Sequence, residues 1–537
     1  MKSSHCYLRK ERAAIFVAAI MPMSVWPLSG AVIGHPWLAL AWALCCAVLL
    51  ATFPSRGLRI SLWTQTLVFP FSLVWMGSVA VTGYGPSNAA MSALSVDAFR
   101  EMSTAYWLGV AQPSFLTAAL LSTCALIWAW IIIAGRTTPT RRQDTIFSSI
   151  FLLALLPASA INMNGTALQS FSNISASEVR NTVVWFSHIG IFKEVIAQGF
   201  DTMARGSSRN ATARSARSAA RRFRAVDGLA VFIIGESLRA DALMVERRGP
   251  WSEALAKRLK LGLGIRFSDA CAGGNATYTS VPRLLTAVDP TDGVGAAQNP
   301  TILAVAKAAG AKTAYIMNHE SWVVPESGHD FIEKTSSMEH PAFDDEVVVA
   351  LEGFLQRSGI GPKAAVLHLY GQHFNYQDRY PPQHFPPEPL DLDIERLEAL
   401  RYGRAAEYGV KILLDAAEVL DKQTEPAFLI FTSDHGENLM LDHTGKRYHA
   451  GPISGLNDTM VPALALWNKP FAETGRQRVL AELISPSGIT HRDLANAWLH
   501  LLSGAPDPLA PGNQPITWGS LEAGSGNTAL NCRMLKP

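Results

Sequence analysis

Charge is missing from long tracts of this chain. No Asp, Glu, Lys or Arg occurs between Ala13 and Phe53, and 17% of the 537 residues are charged against 48% hydrophobic. An apolar tract of that length is long enough to cross a hydrocarbon layer of ~30 Å twice, which excludes an ordinary soluble protein. Cysteine is scarce as well. Of six residues, Cys45, Cys46 and Cys124 fall in apolar tracts and Cys6 in the basic amino-terminal segment. Only Cys271 and Cys532 remain, so a disulfide-stapled scaffold is excluded and one bridge at most is available there. Net charge is +2, which gives no bulk electrostatic reason to expect nucleic acid as a partner.

What is present is a membrane part joined to a soluble one. Gly34-His35-Pro36 interrupts the first tract, giving spans near 13–33 and 37–53. Further spans are predicted at 60–82, 113–135 and 145–161, the last short and holding Pro157. Spans following directly on the first argue against a cleaved signal peptide. One set of connecting loops holds Lys2, Arg9, Lys10, Arg12, Arg56, Arg59, Arg136, Arg141 and Arg142, whereas the opposite loop, 83–107, holds only Arg100. By the positive-inside rule the amino terminus is cytoplasmic. Everything after a fifth span is then outside, in the periplasm of a Gram-negative cell.

The expected organisation is a transmembrane domain of five helices (1–162), a connector (163–227) and a catalytic domain (228–537). Residues 178–197 have roughly helical apolar spacing, suiting either a helix along the membrane face or a plain packing helix. Residues 205–224 carry seven arginines and no acid, a basic linker against anionic headgroups or a solvated tether. From Gly228 onward short apolar runs alternate with helical stretches. Strands are predicted at 229–234, 312–317, 364–369, 427–432 and 461–467, an α/β architecture with a mainly parallel sheet between helical layers.

The chemistry-bearing residues cluster where those strands end. The run Phe428–Phe431 stops at Asp434-His435-Gly436-Glu437, placing a carboxylate beside an imidazole. That pair suits a divalent cation such as zinc, or equally an N-cap Asp with a surface His. The first strand ends at Glu236-Ser237, where the acid can bind a cation or cap a helix. In CAGGNATYTSVPRLL (271–285), glycines ahead of Thr277 allow close backbone approach, and Ser280 or Thr279 can cap a helix starting near Pro282. A hydroxyl at a helix amino end beside a cation becomes a nucleophile toward phosphorus, though a Ser/Thr-rich capping loop reads the same way. The third of these strands supplies His368, which can be a satisfied core residue, and His373 beyond it; His449 follows in a loop that also offers Asp442 and His443.

Taken in order, GES-R-D at 235–241, NATYTSVP at 275–282, His368 and His373 with RYP, SDHGE at 433–437 and HAGP at 449–452 resemble the lipid-dependent phosphoethanolamine transferases of the alkaline phosphatase superfamily. The resemblance spans nearly the whole chain and implies an α/β/α sandwich behind five helices. It implies that Glu236, Thr277, Asp434 and His435 form a zinc site with Thr277 as nucleophile. It further implies that His373 and His449 attend the phosphoethanolamine and a second metal, with His368 next to them; manganese or magnesium are alternatives to zinc. The donor would be phosphatidylethanolamine, the acceptor an amphiphile of the envelope (lipid A, a core sugar or another glycan), and the protein a monomer in the inner membrane. Two departures stand out: Arg283 occupies the position of the family's second Cys around the nucleophile loop, and NHESW follows Met317 where lipid A-modifying members place a Cys-flanked Lys. The rivals are a glycerol-phosphate transferase, a sulfatase-like hydrolase, or an inactive membrane-anchored sensor. Sulfatases need C/S-x-P-x-R, and Leu284 stands where that motif wants its Arg.

Overall fold

A computed structural model describes residues 2–21, scattered positions from 62 to 76, 113–134, 224–243, 249–267, 270–287, 300–319, 328–336, 342–442, 448–449, 455–482 and 489–503. The chain divides into two compact units, one chiefly 1–201 and the other chiefly 202–537.

In the first unit, α1 (Lys2–Ile20) and α2 (Pro113–Ala134) share a core in which Ala14, Ile15 and Phe16 meet Leu62, Ala125 and Ala129. The helix α2 follows the expected fourth span closely, and the segment Pro113–Ile133 is the one stretch among the described residues long and apolar enough to cross a membrane. The first helix begins well before the expected 13–33 span and ends by Pro22, which disfavours helical geometry at the residue before it. The described positions from 62 to 76 are helical, within the third expected span. The spans at 37–53 and 145–161, the loop 83–107, the helix at 178–197, most of the arginine-rich linker, Cys532 and His443 lie outside the described residues.

The second unit is built on a seven-stranded sheet. Its strands are β1 (Leu229–Gly235), β2 (Gly264–Arg266), β4 (Lys312–Met317), β5 (Phe331–Lys334), β6 (Lys363–His368), β7 (Ala427–Ser433) and β9 (Ala463–Trp467), in spatial order β2-β9-β7-β1-β6-β4-β5. From β7 to β5 all pairs are parallel; β9 runs antiparallel to β7, and β2 to β9. A small second sheet joins β3 (Ala270–Cys271), β8 (Met460–Val461) and β10 (Ile489–Thr490). The expected strand at 461–467 is thus two strands in different sheets, because Pro462 has no N–H to continue a ladder.

The central strands read as continuous apolar runs because both faces are covered. Alternate side chains go to opposite cores: Ala230, Phe232 and Ile234 to one, Leu229, Val231 and Ile233 to the other. The first core is closed by α4 (Thr277–Leu285), α5 (Ile302–Ala308) and α8 (His491–Ser503), whose Trp498 meets Phe232 edge-on at 6.4 Å. The second is closed by α3 (Pro250–Lys260), α6 (Asp345–Ser358) and the long α7 (Ile394–Asp421).

Register decides what meets at the carboxyl edge. Gly235 pairs with Ser433 and Ile234 with His368, while Met317 pairs with the same His368. The next residue on β1 is Glu236 and on β7 Asp434, so the two acids emerge side by side. Open α/β sheets carry their sites at this edge.

Candidate metal centre

Glu236, Asp434 and His435 are fully buried and Thr277 nearly so. Glu236 Oε1 lies 3.3 Å from His435 Nε2, and Asp434 Oδ2 lies 3.3 Å from the same nitrogen. The Thr277 hydroxyl is 3.2 Å from His435 Nε2 and donates to Glu236 Oε2 at 3.0 Å. Four side chains from three distant segments are thus linked by contacts of 3.0–3.3 Å, each through His435 or Glu236. A tetrahedral cation with bonds of ~2.0 Å spaces its ligands ~3.3 Å apart, so the donor set fits such an ion. Asp434 Oδ2 has no hydrogen-bond partner although it is buried, which for an acceptor is costly unless a cation meets it.

Local structure prepares each donor. Ser237 takes φ 58°, a strained value for a residue with a Cβ, and its N–H donates to Asp434 Oδ1 at 3.2 Å while its hydroxyl donates to Glu236 Oε1 at 2.8 Å. The His435 N–H donates to Asp434 Oδ1 at 2.7 Å, leaving Oδ2 for the cluster. His435 Nδ1 donates to the Gly436 carbonyl at 2.8 Å, so Nε2 faces the carboxylates and the ring is oriented as a metal-binding imidazole should be. Gly371 is needed after β6: at φ +50° it passes so near Glu236 that a Cβ there would lie 2.7 Å from the Glu236 amide nitrogen.

The helix α4 begins at Thr277 itself, with Ala276 as N-cap and Pro282 inside, rather than near Pro282 as the sequence suggested. Reading Pro as a first-turn residue misplaced the start; the backbone instead turns helical at the nucleophile candidate. The Thr277 hydroxyl therefore sits in the first turn, where backbone N–H groups favour a phosphate.

Charge couples the cluster. Burial opposes ionisation of Glu236, yet the adjoining His435 and His319 hold its pKa well below the usual carboxylate range. Burial would lower His435, but Asp434 and Glu236 override it and raise its pKa to about 10. Asp434 is pushed up, first by burial and then by the Glu236 charge. Two buried carboxylates thus compete for one cationic partner, which a divalent ion would supply.

His449 joins the group. Its Nδ1 lies 3.3 Å from Glu437 Oε2, and its ring is 4.2 Å from that of His435. His373 is next, 5.9 Å from His449 ring to ring, with Nδ1 donating to the Phe374 carbonyl at 3.1 Å and its pKa lowered by burial to about 4. It is stacked on Tyr370, which carries the Arg379 guanidinium 3.9 Å from its ring centre on top. His368 is fully buried, its Nδ1 2.9 Å from the Tyr315 hydroxyl, and burial keeps it neutral.

Sequence reasoning missed His319. It follows β4 by two residues, at the same sheet edge, and its Nε2 lies 3.2 Å from Glu236 Oε2. The signal was there: an imidazole just past a buried parallel strand, in the segment noted only for lacking a lysine. His319 stacks on His368 with rings 4.5 Å apart and 18° from parallel. Lone pairs of imidazole nitrogens lie in the ring planes, so two stacked rings do not converge on a single ion. The sequence allowed one bridge at most in this part of the chain, and Cys271 is disulfide-bonded.

A family model described as Sulfatase matches residues 229–505. No curated protein matches the chain. Among solved structures, the integral membrane protein lipooligosaccharide phosphoethanolamine transferase A from Neisseria meningitidis is 14% identical, covering 93% of this chain and 96% of its own at a TM-score of 0.64. The soluble domain of lipooligosaccharide phosphoethanolamine transferase A from the same organism (18% identity, 52% of this chain and 88% of its own, TM-score 0.45) is also similar. So is the C-terminal periplasmic domain of a phosphoethanolamine transferase from Campylobacter jejuni (20% identity, 52% and 90%, TM-score 0.43). With its catalytic unit matched from β1 into the last described helix, the chain belongs to the sulfatase family.

Proposed function

We propose that this protein transfers phosphoethanolamine from phosphatidylethanolamine to an envelope acceptor through a covalent phospho-threonine at Thr277. The observation that carries this reading is the Thr277 hydroxyl in the first turn of α4, 3.0 Å from Glu236 Oε2 and 3.2 Å from His435 Nε2. The fold shared with a membrane-bound transferase over 93% of the chain supports it.

Glu236, Thr277, Asp434 and His435 would hold zinc, which when bound supplies a positive charge that lowers the hydroxyl pKa and offsets charge on the phosphoryl oxygens. Thr277 Oγ1 attacks phosphorus, an O–P bond forms, and the bond to the diacylglycerol oxygen breaks. The first-turn N–H groups of α4 face the phosphoryl oxygens. A proton has to reach the leaving oxygen. His449, whose ring lies 4.2 Å from that of His435, and His373, whose ring lies 5.9 Å from that of His449, are the histidines placed for that role. Glu437 holds the His449 ring through Nδ1. In the second half an acceptor hydroxyl or phosphate attacks the same phosphorus, its proton passes to the same histidine, and Thr277 is released. His373 and His368 line the headgroup side.

The same reading has five membrane helices in residues 1–162, a connector to 227, and a catalytic domain on the periplasmic face, where a disulfide at Cys271 is at home. The anchor keeps donor and acceptor, both amphiphiles, at high effective concentration. Mass spectrometry of the purified protein after incubation with phosphatidylethanolamine tests this. A phosphoethanolamine adduct is expected on Thr277 and absent from Thr277→Ala; an adduct on another residue refutes the assignment. A glycerol-phosphate adduct from labelled phosphatidylglycerol would favour the rival transferase.

A further inference from the structure

His491, the first residue of α8, is fully buried, and its ring hydrogen bonds go to residues other than the four proposed ligands. Both ring nitrogens have defined partners. Nε2 donates to the Ser433 carbonyl at 2.9 Å, and Nδ1 accepts from the Gly273 N–H at 3.1 Å. The Ser280 hydroxyl lies 3.3 Å from the same Nδ1 and donates to the Asp434 carbonyl. Because Ser433 offers only an acceptor and Gly273 only a donor, the tautomer is fixed and the ring is neutral.

The three partners are the segments whose spacing makes the site. Ser433 immediately precedes Asp434. Gly273 lies in the loop that delivers Thr277, and Ser280 lies one helical turn after it on α4. The Gly273 peptide is held at its other end too, where Arg283 Nη1 donates to its carbonyl at 2.6 Å. Arg283 stands where related transferases place a cysteine to bracket this loop, so here the bracket is made of hydrogen bonds anchored on Arg283 and His491.

We propose that His491 is a positioning residue that sets the separation between the Thr277 hydroxyl and the Asp434–His435 pair, and thereby the zinc affinity and nucleophilicity of the site. This rests on the proposed function for the nucleophile. The mechanical part, holding α4 against the end of β7, stands on the hydrogen bonds alone. A core ring that merely filled space would need no such pair of opposed polar contacts.

The test uses the full-length protein in detergent with three substitutions. His491→Phe keeps the volume and removes both contacts, His491→Asn keeps a polar group near Nδ1, and His491→Gln reaches the position of Nε2. Zinc affinity is measured by competition with a chromophoric chelator, thermal unfolding on the metal-free protein, and Thr277 labelling with phosphatidylethanolamine. Outer-shell groups typically govern metal affinity by 10–100-fold, and a loss of about that size is expected for His491→Phe, with at least one polar variant recovering most of it. Zinc affinity unchanged in all three variants, with only the melting temperature lowered, overturns the proposal. Should His491→Phe fail to fold, His491→Leu takes its place, and zinc affinity in that variant equal to the wild type's overturns the proposal equally. If the wild type binds zinc but never labels Thr277 while the affinity losses persist, the transfer reading fails and the positioning role stands.

Discussion

Zinc affinity should climb steeply with pH well above the range in which an ordinary histidine titrates. In the metal-free protein His435 sits between two carboxylates, and its pKa is raised to about 10. Zinc binds only the neutral imidazole, so at neutral pH a proton held ~3 pH units above ambient must be displaced, an apparent cost of about 4 kcal/mol at ~1.36 kcal/mol per unit. Each pH unit gained returns one factor of ten. From about pH 6.5 to about pH 8.5 the apparent zinc association constant should therefore rise by roughly a hundredfold. A histidine near its ordinary pKa of ~6.5 would give only about a twofold rise over that window. Any proton also held by Asp434, whose pKa is pushed up, steepens the dependence further. The assay is competition with a chelator of known pH dependence, with proton release measured by calorimetry in buffers of different ionisation enthalpy. A flat affinity above about pH 7, or release of no proton, would refute the coupled cluster.

Two further outcomes follow from the loop beside Glu236. Asp344 accepts the Tyr370 and Gly371 N–H groups at 2.8 and 2.9 Å and the Asn318 amide at 3.0 Å, while burial, the larger effect, raises its pKa to about 6. A raised folded pKa stabilises below the unfolded value of ~3.9 and is lost as pH rises through about 6. Thus the metal-free wild type should lose up to about 3 kcal/mol between about pH 4 and pH 7 by denaturant unfolding, and Asp344→Asn should flatten that slope. Gly371→Ala forces a Cβ within 2.8 Å of the Glu236 backbone oxygen at a positive φ. It should cost more than ~1 kcal/mol and weaken zinc binding, and an unchanged melting temperature with unchanged affinity would contradict that close approach.

Much of the site was legible because its donors follow strands that announce themselves. The buried runs ending at Gly235 and Ser433 are apolar on both faces, and a parallel register makes their next residues neighbours. Thr277 was singled out from its motif, but the start of its helix was not, because Pro282 read as a first-turn residue and lies inside the helix instead. Pro462 was a visible strand breaker inside a run that otherwise read as one strand. His319 and His491 were harder. Each has no motif around it, and each acquires a role only when a distant segment, Glu236 in one case and Ser433 with Gly273 in the other, folds against it. The departures at Arg283 and after Met317 became intelligible only as contacts: one is a hydrogen bond to Gly273, the other an imidazole on Glu236.

The central claim is that four side chains from three segments share one divalent cation. Anomalous diffraction at the zinc edge from crystals of the zinc-loaded protein measures this directly. The account predicts a peak about 2.0–2.2 Å from Glu236, Asp434, His435 and the Thr277 hydroxyl together. A zinc peak confined to His373 and His449, with Thr277 outside bonding distance, would contradict it.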